Sequence, residues 1–466
     1  MRTAVRVVLV GLLVLLTPLA AARRAFAEAM GEIHSAETRT GSFAVATEVD
    51  TFTFSGSAGQ VVLLMMSAES PGTNEPRLDL RSPSNALVAS SHAYNTTEIG
   101  PQVLPESGTY AVEARLWVGS SGTYSLSLLI FGGATTSTAD GDGGEMQSAE
   151  TVSGTMDWRA DTDAWTFDGT AGTGVIVTMS RESGGTSFEP RIRLYDPTGA
   201  LEASAFGSAT ATVESWTLLQ SGLYTLVTTY RSGTAPGPYS LSLLLLPGPT
   251  VSPSDPDGGI LASGGAAPGT LDRRADTDAF ALVGHAGETV TLTMTGSCGA
   301  LTLEPLVRLV APTGVVEVSQ FGSGTAQITA HPLVLTGAYT AVASRWSGTP
   351  PCTYTTSFAK SPPATVLSCT AAAAVVGYTG GWSGSVSGGS APYAWSWWFG
   401  DGGGSTEAEP FHLYPPPART YAWQLIVRDA NGEACVRQGL LQTPSNAVFS
   451  DAFESGNLAR WHASSP

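Results

Sequence analysis

The sequence predicts an all-β protein built from tandem antiparallel β-sandwich domains. Apolar and polar residues alternate in segments such as DTFTF, DAWTF and YTLVTTY, which is the pattern of half-buried strands. Gly, Pro, Ser and Thr separate these segments, as they do at the turns of a sandwich. The phrase RADTDAW at 159–165 returns almost unchanged as RADTDAF at 274–280. One domain therefore occurs more than once.

Residues 1–27 have the composition of a secretory signal peptide. Arginines precede an apolar run from Val7 to Leu16, and Ala25-Phe26-Ala27 fits a signal peptidase site. The run is short for a membrane span, and a retained anchor helix is the alternative. We expect a secreted protein, extracellular or at the cell surface, with no transmembrane segment in the mature chain.

The charge of the chain excludes two classes of partner. The formal net charge is −17 over 466 residues, and Lys360 is the single lysine. Acidity without a basic cluster repels nucleic acid and anionic lipid, so neither is expected as a partner.

Three copies of one unit occupy 31–131, 145–247 and 259–361. The segments between the copies are rich in Gly, Pro, Ser and Thr, which is typical of linkers. Each copy has an acid-x-Asp pair before an aromatic residue, then Ala-Gly, Glu-Pro, a Gly-x-Tyr phrase and a final tyrosine. Equivalent positions include Asp50, Asp163 and Asp278, and the final tyrosines Tyr124, Tyr239 and Tyr354.

In these phrases the three copies resemble the bacterial pre-peptidase C-terminal domain. The resemblance implies a calcium-associated, jelly-roll-like β-sandwich of a secreted protein. In that family the domain usually accompanies a peptidase and is not itself catalytic.

A different unit follows at 363–443. Its phrase WSWWFGDGG, with Trp397, Phe399 and Asp401, resembles the Trp-Asp-Phe-Gly-Asp-Gly phrase of the PKD domain, which implies an immunoglobulin-like β-sandwich. Trp398 stands where that family has its first aspartate. Alternation places Trp397 and Phe399 in the core and Trp398 on the outer face. We expect Trp398 either to bind a sugar or protein surface or to be covered by a neighbouring domain. Residues 446–466 form a C-terminal tail, which we interpret as a sorting signal.

The four cysteines lie two in the third repeat and two in the fourth domain. None forms Cys-x-x-Cys, and export favours disulfides over a thiolate metal site. Of the three formal pairings, two cross the domain boundary. We therefore expect Cys298–Cys352 and Cys369–Cys435.

The acid-x-Asp pairs allow three interpretations: a catalytic pair, a metal site, or solvated acids at a turn. A catalytic pair is not expected to recur in three copies. The resemblance implies calcium near the linker, and calcium takes about six to eight oxygen ligands. Linker acids folding back on the pair would supply them, while ordinary hydrated acids remain the alternative. The predicted ligands are Asp140, Asp142, Glu145, Asp161, Asp163, Asp255, Asp257, Asp276 and Asp278.

The first repeat has fewer acids near its pair. Glu48 and Asp50 have only Glu28 and Glu32 upstream. We expect its calcium site to be the weakest of the three, or absent.

Enzyme signatures are missing from the sequence. It contains no His-Glu-x-x-His, Gly-x-Ser-x-Gly or P-loop phrase. We expect a secreted, non-catalytic modular binding or adhesion protein of the bacterial cell surface or extracellular matrix, whose partner is an extracellular polysaccharide or protein surface. The alternatives are an accessory or processing partner of a separately encoded secreted peptidase, and an unrecognised extracellular hydrolase.

Overall fold

The computed structural model confirms the all-β prediction. The elements in its described residues are 35 β-strands in eight sheets, and no helix in these residues could span a bilayer. The predicted C-terminal tail and all but the last residue of the predicted signal peptide lie outside the described residues. The described residues are 27–69, 74–182, 188–232, 236–361, 367–430 and 432–444.

The first repeat is a sandwich of two sheets. Its strands are β1 (Ala27–Glu32), β2 (Glu37–Phe43), β3 (Val49–Gly56), β4 (Val61–Ala68), β5 (Glu75–Arg81), β6 (Leu87–His92), β7 (Thr96–Val103), β8 (Gly108–Val118) and β9 (Gly122–Ile130). The sheet orders are β1-β3-β8-β5-β6 and β2-β9-β4-β7. Phe52 and Phe54 alternate with half-buried polar residues on β3, and their rings pack near Tyr124 and Tyr110 in the core.

The second repeat has the same arrangement. Its strands are β10 (Gly143–Glu145), β11 (Glu150–Thr155), β12 (Thr162–Gly169), β13 (Gly174–Arg181), β14 (Glu189–Tyr195), β15 (Leu201–Phe206), β16 (Thr210–Thr217), β17 (Gly222–Ser232) and β18 (Pro238–Leu246). The sheet orders are β10-β12-β17-β14-β15 and β11-β18-β13-β16. Position for position this is the topology of the first repeat, which confirms the tandem repeat.

The third repeat adds one short strand to this pattern. Its strands are β19 (Gly258–Ile260), β20 (Ala266–Leu271), β21 (Asp278–Gly284), β22 (Thr289–Cys298), β23 (Leu301–Thr302), β24 (Glu304–Val310), β25 (Val316–Phe321), β26 (Thr325–Pro332), β27 (Gly337–Ser347) and β28 (Cys352–Ser361). The sheets are β19-β21-β27-β24-β25 and β20-β28-β22-β23, with β26 also pairing with β22.

The fourth domain is a smaller sandwich. Its strands are β29 (Ser368–Val376), β30 (Thr379–Ser387), β31 (Ala394–Trp398), β32 (Gly404–Ser405), β33 (Phe411–Leu413), β34 (Thr420–Arg428) and β35 (Ala434–Gln442). They form the sheets β29-β30-β33 and β32-β31-β34-β35. Trp397 and Phe399 are buried between the sheets, as alternation predicts.

Both predicted disulfides are present. Cys298–Cys352 joins β22 to β28 within the third repeat, and Cys369–Cys435 joins β29 to β35 within the fourth domain. The described residues contain no free cysteine.

Consecutive repeats pack through apolar patches of the same kind. Leu63 and Leu129 of the first repeat meet Ala164, Tyr195 and Val227 of the second. At the next junction, the equivalent residues form a second buried cluster, which includes Ile176, Leu244, Ala279, Val310 and Val342. Each junction thus joins the smaller sheet of one repeat to the five-stranded sheet of the next.

The outer face of the first five-stranded sheet is charged instead. Buried Asp79 accepts hydrogen bonds from Arg77 and pairs with Arg115, and Arg81 pairs with Glu113 at 2.5 Å. Arg81 and Glu113 lie where the second and third repeats present apolar side chains such as Tyr195 and Val310 to the repeat before them. Asp79 lies where those repeats have Arg193 and Arg308, which pair with Glu98 and Glu214 of the preceding repeat.

The fourth domain packs against both the second and third repeats. Ile426, Ala434 and Val436 meet Ala281 and Ala338 on the five-stranded sheet of the third repeat. The amides of Gln147 and Gln424 donate hydrogen bonds across the contact with the second repeat, at 2.9 and 2.7 Å. Phe358 and Lys360 of the smaller sheet of the third repeat line the crevice beside this contact.

Candidate metal sites

Three clusters of carboxylates lie at equivalent places, one in each repeat. In every cluster the carboxylate oxygens lie within 4.8 Å of one another. We name them cluster 1 (Glu28, Glu48, Asp50), cluster 2 (Asp140, Asp161, Asp163) and cluster 3 (Asp255, Asp257, Asp278).

A short parallel strand pairing brings each cluster together. β1, β10 and β19 run parallel to β3, β12 and β21, and Glu28 pairs in register with Asp50. In the second and third repeats the chain just before the short strand carries the linker acids. Parallel pairing sets this segment beside the start of the longer strand, where the acid-x-Asp pair lies. The fold-back of the linker that the sequence predicts is therefore how the clusters form.

One aspartate in each cluster is fully buried and held by the final tyrosine of its repeat. The hydroxyls of Tyr124, Tyr239 and Tyr354 each donate to an aspartate Oδ2 at 2.6 Å. The tyrosine ring packs over a glycine on the neighbouring strand. A side chain at this position would clash with the ring, because a Cβ at Gly154 would lie 2.5 Å from the Tyr239 hydroxyl oxygen. The tyrosines and glycines therefore fix the direction of the aspartates. The accepting residues are Asp50, Asp163 and Asp278.

The second oxygen of each of these aspartates has no protein partner. The Oδ1 atoms of Asp50, Asp163 and Asp278 are buried without a hydrogen bond, and the side chains are at most 1% exposed. An unpaired buried carboxylate oxygen is energetically costly, and native proteins rarely leave one unsatisfied. A cation bound between the carboxylates would satisfy all three oxygens. The donor set consists only of carboxylates, which fits a hard cation.

The electrostatics of the clusters agree with this fit. Burial, followed by the charge of Asp140, raises the pKa of Asp161 to about 7. Burial, followed by the charge of Asp276, raises the pKa of Asp255 to about 8. Burial first and the neighbouring acid second also raise the pKa of Asp163 and Asp278 well above the ordinary value. Removing water without a positive charge disfavours the ionised form. These acidic clusters could bind metal ions.

Three of the nine predicted ligands lie outside the clusters. Asp142 Oδ2 accepts the backbone N–H of Thr155 at 2.6 Å, so it closes the linker turn. Glu145 is directed to the fourth domain, where it pairs with Arg419. Asp276 accepts the N–H of Asp272 at 2.7 Å and lies beside Asp255. The structure assigns the other six to clusters 2 and 3.

Cluster 1 exists, but it is more open than the others. Glu28 is exposed, Glu48 is partly exposed and only Asp50 is buried. Glu32 is not part of it. Solvated ligands bind a cation less tightly than buried ones because water screens the charges. The sequence-based expectation of a weaker site in the first repeat stays a prediction.

The residues of the repeated phrase RADT also make contacts between one repeat and the next. The sequence pattern alone does not predict these contacts. We call Arg159–Thr162 and Arg274–Thr277 the docking segments. At the first junction, Glu69 accepts the N–H of Arg159 at 2.9 Å and Ser125 Oγ accepts that of Ala160 at 3.0 Å. Thr38 Oγ1 donates to Asp161 at 2.7 Å, which ties cluster 2 to the first repeat.

The second junction repeats these contacts. Glu182 accepts the N–H of Arg274 at 2.7 Å, and Ser240 Oγ accepts that of Ala275 at 2.8 Å. Thr151 Oγ1 donates to Asp276 at 3.1 Å. We call the residues that receive a docking segment the receiving face. It consists of Thr38, Glu69, Ser125 and Ser127 in the first repeat, and of Thr151, Glu182, Ser240 and Ser242 in the second.

Trp398 does not stand free in solvent. It is partly buried and lines a small crevice with Met146, Phe167 and Leu245 of the second repeat. This placement favours the alternative in which a neighbouring domain covers Trp398, and its role in ligand binding stays a prediction.

The fold and the clusters define a multidomain, all-β protein with acidic sites at its domain junctions. Its fourth domain is identified by a family comparison, because residues 361–440 match the model of the PKD domain. The prediction of a PKD-like domain is confirmed. A search of curated protein sequences finds no match.

Three solved structures are similar to parts of the chain. The PKD1 domain of the Vibrio cholerae metalloprotease PrtV is 26% identical, over 16% of this chain and 93% of that chain, with a TM-score of 0.15. The pre-peptidase C-terminal domain of a Bacillus anthracis collagenase is 21% identical, over 23% and 97%, with a TM-score of 0.18. Aeromonas hydrophila PliG, a periplasmic lysozyme inhibitor, is 14% identical, over 22% and 99%, with a TM-score of 0.18.

Proposed function

We propose that this chain is a secreted, non-catalytic modular binding protein whose repeats are held in a fixed array by calcium. One observation carries the proposal: the buried, unpartnered Oδ1 atom that recurs in all three clusters. In clusters 2 and 3 this oxygen lies beside a docking segment. A cation there stabilises the same strands that make the contact with the preceding repeat.

Calcium is the cation that best suits these sites. Each cluster offers carboxylates alone, and calcium accepts about six to eight oxygen ligands in flexible geometry. Magnesium demands a stricter octahedral shell, and zinc favours nitrogen and sulfur ligands. Backbone carbonyls and water would complete the shell around three carboxylates.

The arrangement of the acids supports a structural role over a catalytic one. In each pair the second acid is buried and held in a fixed orientation by a tyrosine hydroxyl, as expected of a structural ligand. The chain then acts by binding or presentation outside the cell, at a polysaccharide or protein surface. The two disulfides and the PKD domain support the extracellular location.

Calorimetry of the mature chain in calcium and in chelator tests the role of the clusters. At a free calcium concentration 100 times Kd, one site stabilises the folded state by about 2.7 kcal/mol. Asp163→Asn and Asp278→Asn should each abolish this gain for their own repeat. Asp142→Asn is the matched control, because its oxygen still accepts the Thr155 N–H and is not in cluster 2. Identical melting in calcium and chelator would refute the proposal.

The binding role is tested separately by retention of the mature chain on chitin, cellulose and collagen. Retention on an insoluble surface supports the proposed function. Copurification with a secreted hydrolase, with no retention on any surface, would instead support the accessory role.

A further inference from the structure

The third repeat leaves its receiving face uncovered. At the positions of Glu69 and Glu182 it has Ser297, and at those of Ser125 and Ser240 it has Thr355. No docking segment lies on these residues, because the fourth domain packs against the other sheet of the repeat. Ser297 and Thr355 are exposed.

A cavity of about 660 Å³ occupies this place. Strands β20, β22 and β28 form its walls. Hydroxyl groups dominate the lining, and the Oγ atoms of Ser297, Thr353 and Thr355 have no hydrogen-bond partner within the described part of the chain. The hydroxyl-bearing residues are Thr270, Thr295, Ser297, Thr353, Tyr354 and Thr355.

The lining determines which ligand class the cavity suits. It contains no Lys or Arg, and its one charged residue is Asp257. The lining therefore offers no positively charged side chain to an anionic ligand. Hydroxyls both donate and accept hydrogen bonds, and so match a ligand that does the same at every position. A neutral carbohydrate has this property.

A fourth docking segment does not fit the face as well. Such a segment begins with an arginine whose N–H and side chain need a glutamate, as in Arg159 with Glu69. Ser297 cannot supply that charge. The threonine that holds the aspartate of the segment, Thr38 or Thr151, is replaced by Ala266. The third repeat has thus lost the two groups that recognise the segment.

We propose that this cavity in the third repeat binds a neutral oligosaccharide through its row of hydroxyls. The inference rests on the proposed binding function and gives it a location and a ligand class. The equivalent place in the first repeat is a smaller cavity of about 450 Å³, which contains the charged Glu69 and is bordered by Trp158 of the second repeat.

Titration calorimetry of the mature chain, in calcium, tests the site with cellohexaose, chitohexaose, laminarihexaose and xylohexaose as neutral probes. A hyaluronan hexamer is the acidic probe. We expect at least one neutral probe to bind and the acidic one not to bind. Thr355→Trp fills the cavity and should weaken binding at least about tenfold, or about 1.4 kcal/mol, which is comparable to the loss of about one hydrogen bond. Thr329→Trp is the control, on the same sheet but outside the cavity lining.

Three results would overturn the inference: no neutral probe binds, the acidic probe binds best, or Thr355→Trp binds as the wild type does. Circular dichroism and melting of both variants show whether the tryptophan disturbs the fold, and Ser297→Arg offers a second way to fill the cavity. Calcium-dependent melting in the same samples tests the proposed function independently. An increase of the melting temperature in calcium can be observed even when no oligosaccharide binds.

Discussion

The substitution Glu69→Ala tests whether the docking segment holds the first two repeats together. One carboxylate accepts the Arg159 N–H at 2.9 Å and the Ser125 hydroxyl at 2.5 Å, and it lies 3.8 Å from the Arg159 Nε. A hydrogen bond to a charged group contributes about 1.5–3 kcal/mol, and a partly exposed ion pair adds less than about 1 kcal/mol. Because the two bonds share one acceptor, we expect docking to weaken by about 2–3 kcal/mol.

This loss should raise the population of the undocked state by roughly 30- to 140-fold, since 1.4 kcal/mol corresponds to about a factor of ten. Cleavage of the linker reports that population when opening and closing are fast relative to cleavage. Elastase, which accepts small residues, should cut near Ala134 and Ala139 faster by the same factor. Ser297→Ala is the matched control, because the equivalent residue of the third repeat receives no segment. Unchanged cleavage of Glu69→Ala would refute the docking role.

Three further predictions concern pH, the disulfides and Trp398. The pKa values of Asp161 and Asp255 are raised in the folded state, so in chelator protonation of these carboxylates stabilises the fold. This stabilisation is present below the ordinary pKa of an aspartate, and it is lost as the pH rises through about 7 to 8. Melting temperatures in chelator should therefore fall between about pH 5 and pH 8.5, and saturating calcium should abolish the fall; a rise would contradict the assignment. Reduction should remove roughly 2–4 kcal/mol from the third repeat and the fourth domain and leave the cysteine-free first and second repeats unchanged, as resolved by calorimetry with and without reductant. Trp398→Ala should lower the melting temperature because the side chain packs on the second repeat, and an unchanged melting curve would show that the contact is energetically neutral.

The sequence predicted the architecture well because each repeat carries its own complete pattern. Alternation in strands such as DAWTF, with glycines and prolines between them, determines two-sheet sandwiches independently of the neighbours. The same holds for both disulfides, each closed within one domain. Six of the predicted ligands also lie in clusters, because the linker and the acid-x-Asp pair are close in the sequence and are joined by a local parallel pairing.

The contacts between domains were harder to predict. Proximity in sequence predicts Glu145 as a metal ligand, but its carboxylate pairs with Arg419, far along the chain. The docking role of RADT depends on Glu69 and Ser125, which belong to another repeat. One signal was present in the sequence: the first repeat has ATEVD instead of RADTD, and the third lacks the glutamate that Glu69 and Glu182 share. The first repeat therefore has no docking segment, and the third repeat has no glutamate to accept one.

The charged outer face of the first repeat has a consequence for how such an array can change in length. The first repeat has a receiving face but no docking segment, and the third repeat has a docking segment but lacks the acceptor glutamate. The second repeat has both. Duplication of the middle repeat would therefore lengthen the array and create no new kind of surface, since each copy brings its own docking segment and receiving face. Deletion of the same repeat would leave Glu69 facing the docking segment at Arg274. End-to-end addition of whole chains would instead place Arg81 and Glu113 where the junctions between repeats have an apolar patch.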